Sequence, residues 1–251
     1  MTELRAIGDE FLGESAVLRR VSLANLPSLH LIDESFVSDC YALEIVELGK
    51  LPQLTTIAGG ALRMCTALRR LALTDLPALE TIGEYFASEC FGLEEMAVAR
   101  LPALKTICDM FLQGCRSLRR LSLVDLPALE LIGRGFADGA GLETLEFSDL
   151  PSLKTIRNEF VANSFSLQRL SLANLASLEV IADDFVSRCS RLETVELSNL
   201  PVLRGIQYGS FRRCDAMQVL RLTDLPELST PYTMGGSFER IQVNVPNLPS
   251  A

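Results

Sequence analysis

The chain has 251 residues and a formal net charge of −9, with 23 Lys and Arg against 32 Asp and Glu. Phosphate backbones are held by clustered Lys and Arg, so this balance argues against a nucleic-acid partner. No run of about 18 apolar residues is present to span a membrane, the opening Met1-Thr-Glu-Leu-Arg lacks the apolar core of a signal peptide, and no Asn starts an Asn-x-Ser/Thr sequon.

From Leu4 onward one frame repeats, L-x-x-L-x-L-x-x-L-P-x-L-x-x-I-x-x-x-F, as in Leu118 to Phe136. Its marker is an isoleucine: Ile7, Ile32, Ile57, Ile82, Ile107, Ile132, Ile156, Ile181 and Ile206, at steps of 25 residues with a single step of 24. A phenylalanine follows four residues later at Phe11, Phe36, Phe86, Phe111, Phe136, Phe160 and Phe185; Ala61 fills the slot once, and Phe211 arrives one residue late. A period of this length with this leucine spacing is the signature of leucine-rich repeats. Leu121 and Leu123 alternate, so they share one face of a short strand, and strands from successive coils pair in parallel. Proline ends each strand, at Pro27, Pro52, Pro77, Pro102, Pro127, Pro151, Pro201 and Pro226, with Ala176 the exception. On the return path Ile132, Phe136 and the slots four and seven beyond the Phe fall on one helical face, which predicts a short convex helix. The acids after the Ile (Asp9, Glu10, Glu159, Asp183, Asp184) then read as solvated helix-start charges. Leu126 occupies a slot where many such repeats carry Asn, so Pro and apolar packing are left to hold that turn. The expected architecture is an α/β repeat solenoid: a leucine-rich repeat arc with a concave parallel sheet and short convex helices, about nine coils over residues 1–228. An irregular repeat or cap follows over 229–251, with a tenth strand in Phe238–Pro246.

The pattern Cys115-x-x-Leu118-x-x-Leu121-x-Leu-x-x-Leu-Pro-x-Leu129-x-x-Ile132-x-x-x-Phe136 resembles the BspA-like (Treponema pallidum-type) leucine-rich repeat class over roughly residues 4–228. The resemblance implies a protein that binds other proteins or serves in surface adhesion. This coil is slightly longer than the usual family unit, and no export signal accompanies it. Unpaired buried thiols fit a reducing compartment and so a cytoplasmic location, with a surface location if the chain is a piece of an exported protein.

The array carries traces of its growth. Residues 22–48 and 171–197 match at 17 of 27 positions, a block duplication. Row two of the strand segment reads Arg19, Glu44, Arg69, Glu94, Arg119, Glu143, Gln168, Glu193, Gln218, an alternation that implies a two-coil unit. Stacked in register, opposite charges become neighbours, Arg119 beside Glu143 among them, which favours correct pairing. Each exposed pair is worth only about 0–1 kcal/mol, so register control is the plain reading and recognition the sharper one.

No residue set announces catalysis. Cys40, Cys65, Cys90, Cys115, Cys189 and Cys214 lie on the coil grid as a column of parallel side chains, whereas a metal needs ligands that converge. Cys108 stands off the grid as the candidate exposed thiol, and His30, the sole histidine, sits on an exposed row. Gly133-Arg-Gly135-Phe-Ala-Asp-Gly139 only superficially resembles a phosphate loop; its glycines accompany a one-residue deletion between Phe136 and Leu142. No catalytic residue, cofactor or metal is expected. The candidate protein-binding face consists of outward strand residues, Arg20, Ile45, Arg70, Glu95, Arg120 and Arg169 in row three and Glu47, Glu146, Glu196 and Arg221 in row five. It offers arginine but no aromatic anchor, so a protein or peptide partner of unknown identity is expected in a shallow polar groove. The frame opens without a polar cap before Leu4, which points to a piece of a longer protein or to end-to-end self-association.

Overall fold

The computed structural model describes residues 3–228 and the backbone of 242–244. Within them the chain winds as a parallel β-solenoid of nine coils, each with one short and one long strand. The short strands are the odd-numbered elements from β1 (Ala6–Ile7) to β17 (Gly205–Ile206), β11 (Leu131–Ile132) among them, and they form one continuous nine-stranded sheet. Its register stacks Ile on Ile, with Ile132 paired to both Ile107 and Ile156. The long strands are β2 (Arg20–Leu23), β4 (Ile45–Gly49), β6 (Arg70–Thr74), β8 (Glu95–Ala99), β10 (Arg120–Val124), β12 (Thr144–Ser148), β14 (Arg169–Ala173), β16 (Thr194–Ser198) and β18 (Val219–Thr223). They alternate in burial as the period of two requires, Leu71 and Leu73 inward and Arg70 outward in β6. The expected C-terminal repeat over 229–251 lies outside the described residues, except that Gln242–Asn244 forms β19, paired in parallel with β18.

The expected convex helices do not form; among the described residues there is no helix, and so none long and apolar enough to cross a membrane. The cause is backbone handedness. Every coil places three residues at positive φ, two of them in the return segment: Tyr85 (54°) and Glu89 (59°) in one coil, Met110 (58°) and Gly114 (73°) in the next. Left-handed residues interrupt a right-handed helix, since each is out of its dihedral range. The return segment bonds to the next coil instead: Tyr85 N–H to Asp109 O (2.9 Å), Ala87 N–H to Phe111 O (2.9 Å), Glu89 N–H to Gln113 O (2.7 Å). Its polar backbone is thus satisfied by a ladder between coils, as in a sheet. The acids after the Ile are turn residues, not helix starts.

The core is a set of columns. Phe86, Phe111, Phe136, Phe160 and Phe185 stack with centroids 4.9–5.4 Å apart and are fully buried. Ala61 interrupts that column between Phe36 and Phe86. Each column thiol donates to a carbonyl of the preceding coil, as Cys65 Sγ to Val37 O (3.0 Å), Cys90 to Leu62 O (3.1 Å) and Cys115 to Ala87 O (3.2 Å). Ser164, in the same slot, donates its hydroxyl to Ala137 O (3.3 Å). All six column cysteines are buried and unpaired.

The turn after each long strand has a second support besides Pro and apolar packing. The third left-handed residue of every coil falls in one row: Asn25, Lys50, Asp75, Arg100, Asp125, Asp149, Asn174, Asn199, Asp224. Asn and Asp tolerate this conformation best among residues with a side chain. Some of them also link coils, Asn174 Nδ2 donating to Asp149 Oδ1 (3.0 Å) and Asn199 Nδ2 to Asn174 Oδ1 (2.9 Å). Arg100 grips Asp75 with two bonds (2.5 and 3.0 Å), which holds the Asp75 carboxyl below its usual range. The ladder sits one position before the Leu126 slot; the recurrence of Asn and Asp at a fixed offset from Pro was the legible signal.

Candidate protein-binding surface

The outward residues of the long strands form charged rows, and most of the charges are already matched. Arg19 pairs with Glu44 (3.0 Å) and Arg69 with Glu94 (3.7 Å) in row two. In row three Glu95 lies between Arg70 (3.6 Å) and Arg120 and bonds both. Arg20 reaches across to Glu47 (3.9 Å), and Arg221 pairs with Glu196. All these side chains are substantially exposed, so the pairs contribute little stability and mainly fix the register. Ile45 is half-buried in the same row. Arg169 and Glu146 are exposed and have no ion-pair partner among the described residues. The ten predicted residues therefore lie on one face, but the structure neutralises seven of them within the face itself.

The ladder fails at one place. The long strands do not form a single sheet: one sheet runs β10-β8-β6-β4-β2 and the other β12-β14-β16-β18-β19. Between β10 and β12 there is no ladder, and the bulk of their Cα atoms lie more than 8 Å apart, against about 4.8 Å for paired strands. At the other junctions a row-three N–H donates to the row-two carbonyl of the preceding coil, as Arg120 to Glu94 (3.2 Å) and Arg169 to Glu143 (3.3 Å). No such bond joins Thr144 to Arg119, and no ion pair joins Arg119 to Glu143. The short strands remain paired across the same coils, β11 to the next short strand, β13 (Thr155–Ile156), so the solenoid is splayed only on its long-strand side.

The one-residue deletion is the cause. In a full coil two residues separate the column cysteine from the first strand Leu, and a turn closes between them, Leu118 N–H to Cys115 O at 3.0 Å. Here Ala140-Gly141-Leu142 has one residue in that place, and Leu142 makes no such bond. The shortened turn is pinched: a Cβ on Gly141 would stand 2.0 Å from the Arg116 carbonyl oxygen, so only glycine fits. Strand β12 starts out of reach of β10. Its consequence is visible in burial, because Leu121 and Leu123 are only partly covered and Val124 is 48% exposed, while their counterparts Leu71 and Leu73 are buried.

Two crevices flank the split. One, about 630 Å³, lies at the far ends of β10 and β12 between Leu123, Val124, Ser148 and Pro151. The other, about 610 Å³, lies ahead of the same strands, against Gly114, Arg116 and Gly139, with Phe91 and Phe165 on its rim. Phe165 is 62% exposed, and the Arg116 guanidinium lies 5.4 Å from the Phe91 ring centre. Sequence reading found no aromatic on the strand rows, and these two stand in the turn before the strands. Their signal was the slot after the cysteine, filled by Tyr41, Phe91 and Phe165.

The thiols offer no reactive centre. Burial pushes the Cys115 thiol up to about 12 and that of Cys214 up to about 11. Cys108, the expected exposed thiol, is half-buried, and burial followed by the Asp109 and Glu84 charges also raises it, which keeps it protonated and sluggish. His30 is exposed, its Nδ1 2.6 Å from the Ser28 carbonyl.

Columns of Leu, Ile and Phe, a return path of left-handed turns and an outward polar strand face define the chain as a leucine-rich repeat protein of parallel β-solenoid form. The profile described as BspA type Leucine rich repeat region (6 copies) matches residues 2–119 and 105–230, and the chain belongs to that family. No curated protein sequence matches it. Among solved structures it is similar to a leucine-rich repeat protein from Bacteroides ovatus, at 15% identity over 89% of this chain and 77% of that one, with a TM-score of 0.39. It is also similar to a leucine-rich repeat protein from Eubacterium ventriosum (11% identity, 100% and 83% covered, TM-score 0.40) and to the pneumococcal vaccine antigen PcpA (13% identity, 90% and 73% covered, TM-score 0.39).

Proposed function

We propose that the chain is a non-enzymatic module for protein binding or adhesion, and that it engages its partner across the face of the long strands. The observation that carries this reading is the outward polar face itself, a row of exposed charges set at a fixed interval by a rigid ladder. Family membership points the same way. Arginine gives such a face planar, multivalent donors for carboxylates and carbonyls on a partner. Simultaneous replacement of Arg70, Arg120 and Arg169 by Gln, which removes the charges without stacking like charges on Glu95, tests it. Proteins captured from a lysate of the source organism by the immobilised chain should be lost, with the melting temperature nearly unchanged because the three side chains are exposed. Undiminished capture assigns binding to another face. A second reading, end-to-end association, draws on the exposed Leu4, Phe11 and Val17 of the first coil; light scattering that finds a monomer at high concentration rules it out.

A further inference from the structure

We propose that the split between β10 and β12 is a slot for one extended peptide strand of a partner protein, which enters parallel to β10 and completes the interrupted sheet. This rests on the protein-binding reading and assigns it a place and a partner chemistry.

Three observations converge. The first is spacing: with Cα atoms mostly beyond 8 Å, the separation exceeds one strand spacing, and a third strand between two others needs about 9.6 Å. The second is valence. By the register of the other junctions, Leu121 and Leu123 point their N–H and C=O groups toward β12, and Thr144 and Glu146 point theirs toward β10. Neither set is laddered, so the slot has two facing unpaired edges, each of which templates a strand. The third is charge. The row-two pairs Arg19–Glu44 and Arg69–Glu94 form, while the equivalent Arg119 and Glu143 stand apart on opposite walls. Arg119 and Arg120 make one wall basic, Arg120 bonding Glu95 through Nη1 alone and keeping its other donors; Glu143 and Glu146 make the other acidic.

These walls specify the occupant residue by residue. Its row-three residue lies between Arg120 and Thr144 and should be acidic. Row four, between Leu121 and Leu145, should be aliphatic. Row five, between Ser122 and Glu146, should be basic, and row six, between Leu123 and Phe147, aliphatic again. The alternation covers the partly exposed leucines of β10 and leaves both charges in solvent-facing pairs. One crevice continues the slot at its far end, between Leu123, Val124, Ser148 and Pro151.

The test uses the full chain and a capped synthetic peptide, Gln-Glu-Val-Lys-Val-Thr, followed by calorimetry and amide exchange. Binding should protect the Leu121 and Leu123 amides. The charge-swapped peptide Gln-Lys-Val-Glu-Val-Thr should bind about tenfold more weakly or less, and Glu146→Arg, which inverts the row-five wall alone, should erase that preference. One serine inserted between Gly141 and Leu142 restores the full coil; it should close the slot, protect both amides without peptide and abolish binding. Peptide affinity equal in the native and inserted chains overturns the slot, as does protection of both amides in the free native chain. A dimer that the insertion dissolves assigns the slot to a second copy instead. Should the insertion fail to fold, the Glu146→Arg result still decides. Loss of lysate capture in the triple arginine variant, together with no peptide binding to the native chain, would leave the module reading standing and refute the slot alone.

Discussion

Phe111 offers the most direct measure of what holds the array together. Its side chain is fully buried, and its ring stacks on Phe86 at 5.3 Å and on Phe136 at 5.4 Å, with interplanar angles of 11° and 14°. Phe→Ala in a core costs about 3–5 kcal/mol, through lost transfer energy and a residual cavity. Collapse is opposed here from both sides, because the neighbouring coils are tied to the coil of Phe111 by the return-segment bonds and cannot move in without breaking them. Two ring contacts, each about 0.5–1.5 kcal/mol beyond burial, are lost together. Phe111→Ala should therefore fall in the upper part of that range, about 4–5 kcal/mol. Urea unfolding followed by far-ultraviolet circular dichroism gives the number, and amide exchange should place the weakening in the coils of Phe86 to Phe136. Solenoid energetics are nearest-neighbour sums, so distant coils should be spared. A loss below about 1.5 kcal/mol would mean that the coils close over the gap and that the aromatic column is not what spaces them.

Ala61 already interrupts the column, so amide exchange in the native chain should be faster in its coil than in the coil of Phe111; equal rates contradict this. The Asp138 carboxyl is raised, chiefly by burial and against the hydrogen bond from Asn163 Nδ2 (2.7 Å). A folded pKa above the unfolded one makes stability fall as pH rises from the unfolded value, about 3.9, through the folded value. Asp138→Asn keeps the acceptor oxygen, so it should stabilise at neutral pH and lose that advantage in acid below the unfolded pKa, as read from urea midpoints at the two pH values. Arg188 holds φ at 62° with its side chain exposed, and Arg188→Gly should gain up to about 1 kcal/mol by relief of the left-handed strain; a lower melting temperature refutes that. A disulfide reagent at neutral pH should label at most Cys108, slowly, in the folded chain and all seven thiols after unfolding, since the other six are buried.

The coil was legible because its columns are apolar and periodic. Ile on Ile, Phe on Phe and Cys on Cys follow from stacking one frame on itself, and the inward Leu71 and Leu73 follow from strand alternation. The return path was misread because its apolar spacing fits a helical face as well as a turned one. Handedness decides between them, and Tyr85, Glu89 and Met110 do not advertise positive φ as glycine does. The same blindness hid the Asn and Asp row, whose members are ordinary polar residues until their backbone is seen. The ten outward residues share one face as strand alternation predicts, but their mutual pairing does not follow from the row-two alternation: Arg20–Glu47, Arg70–Glu95–Arg120 and Glu196–Arg221 join residues expected to meet a partner.

The missing residue between Phe136 and Leu142 changes what the charge ladder means. Where the coil is complete, Arg19–Glu44 and Arg69–Glu94 spend their charges on each other, and an incoming protein must compete with a neighbour already in place. Where it is one residue short, Gly141 holds the turn against Arg116, β12 begins out of reach of β10, and Arg119 and Glu143 are left unpaired. Register control and recognition are then not rival accounts of one ladder. The intact junctions use alternating charge to set register, and the interrupted junction presents the same alternation, with open backbone edges, to whatever strand can supply the missing row.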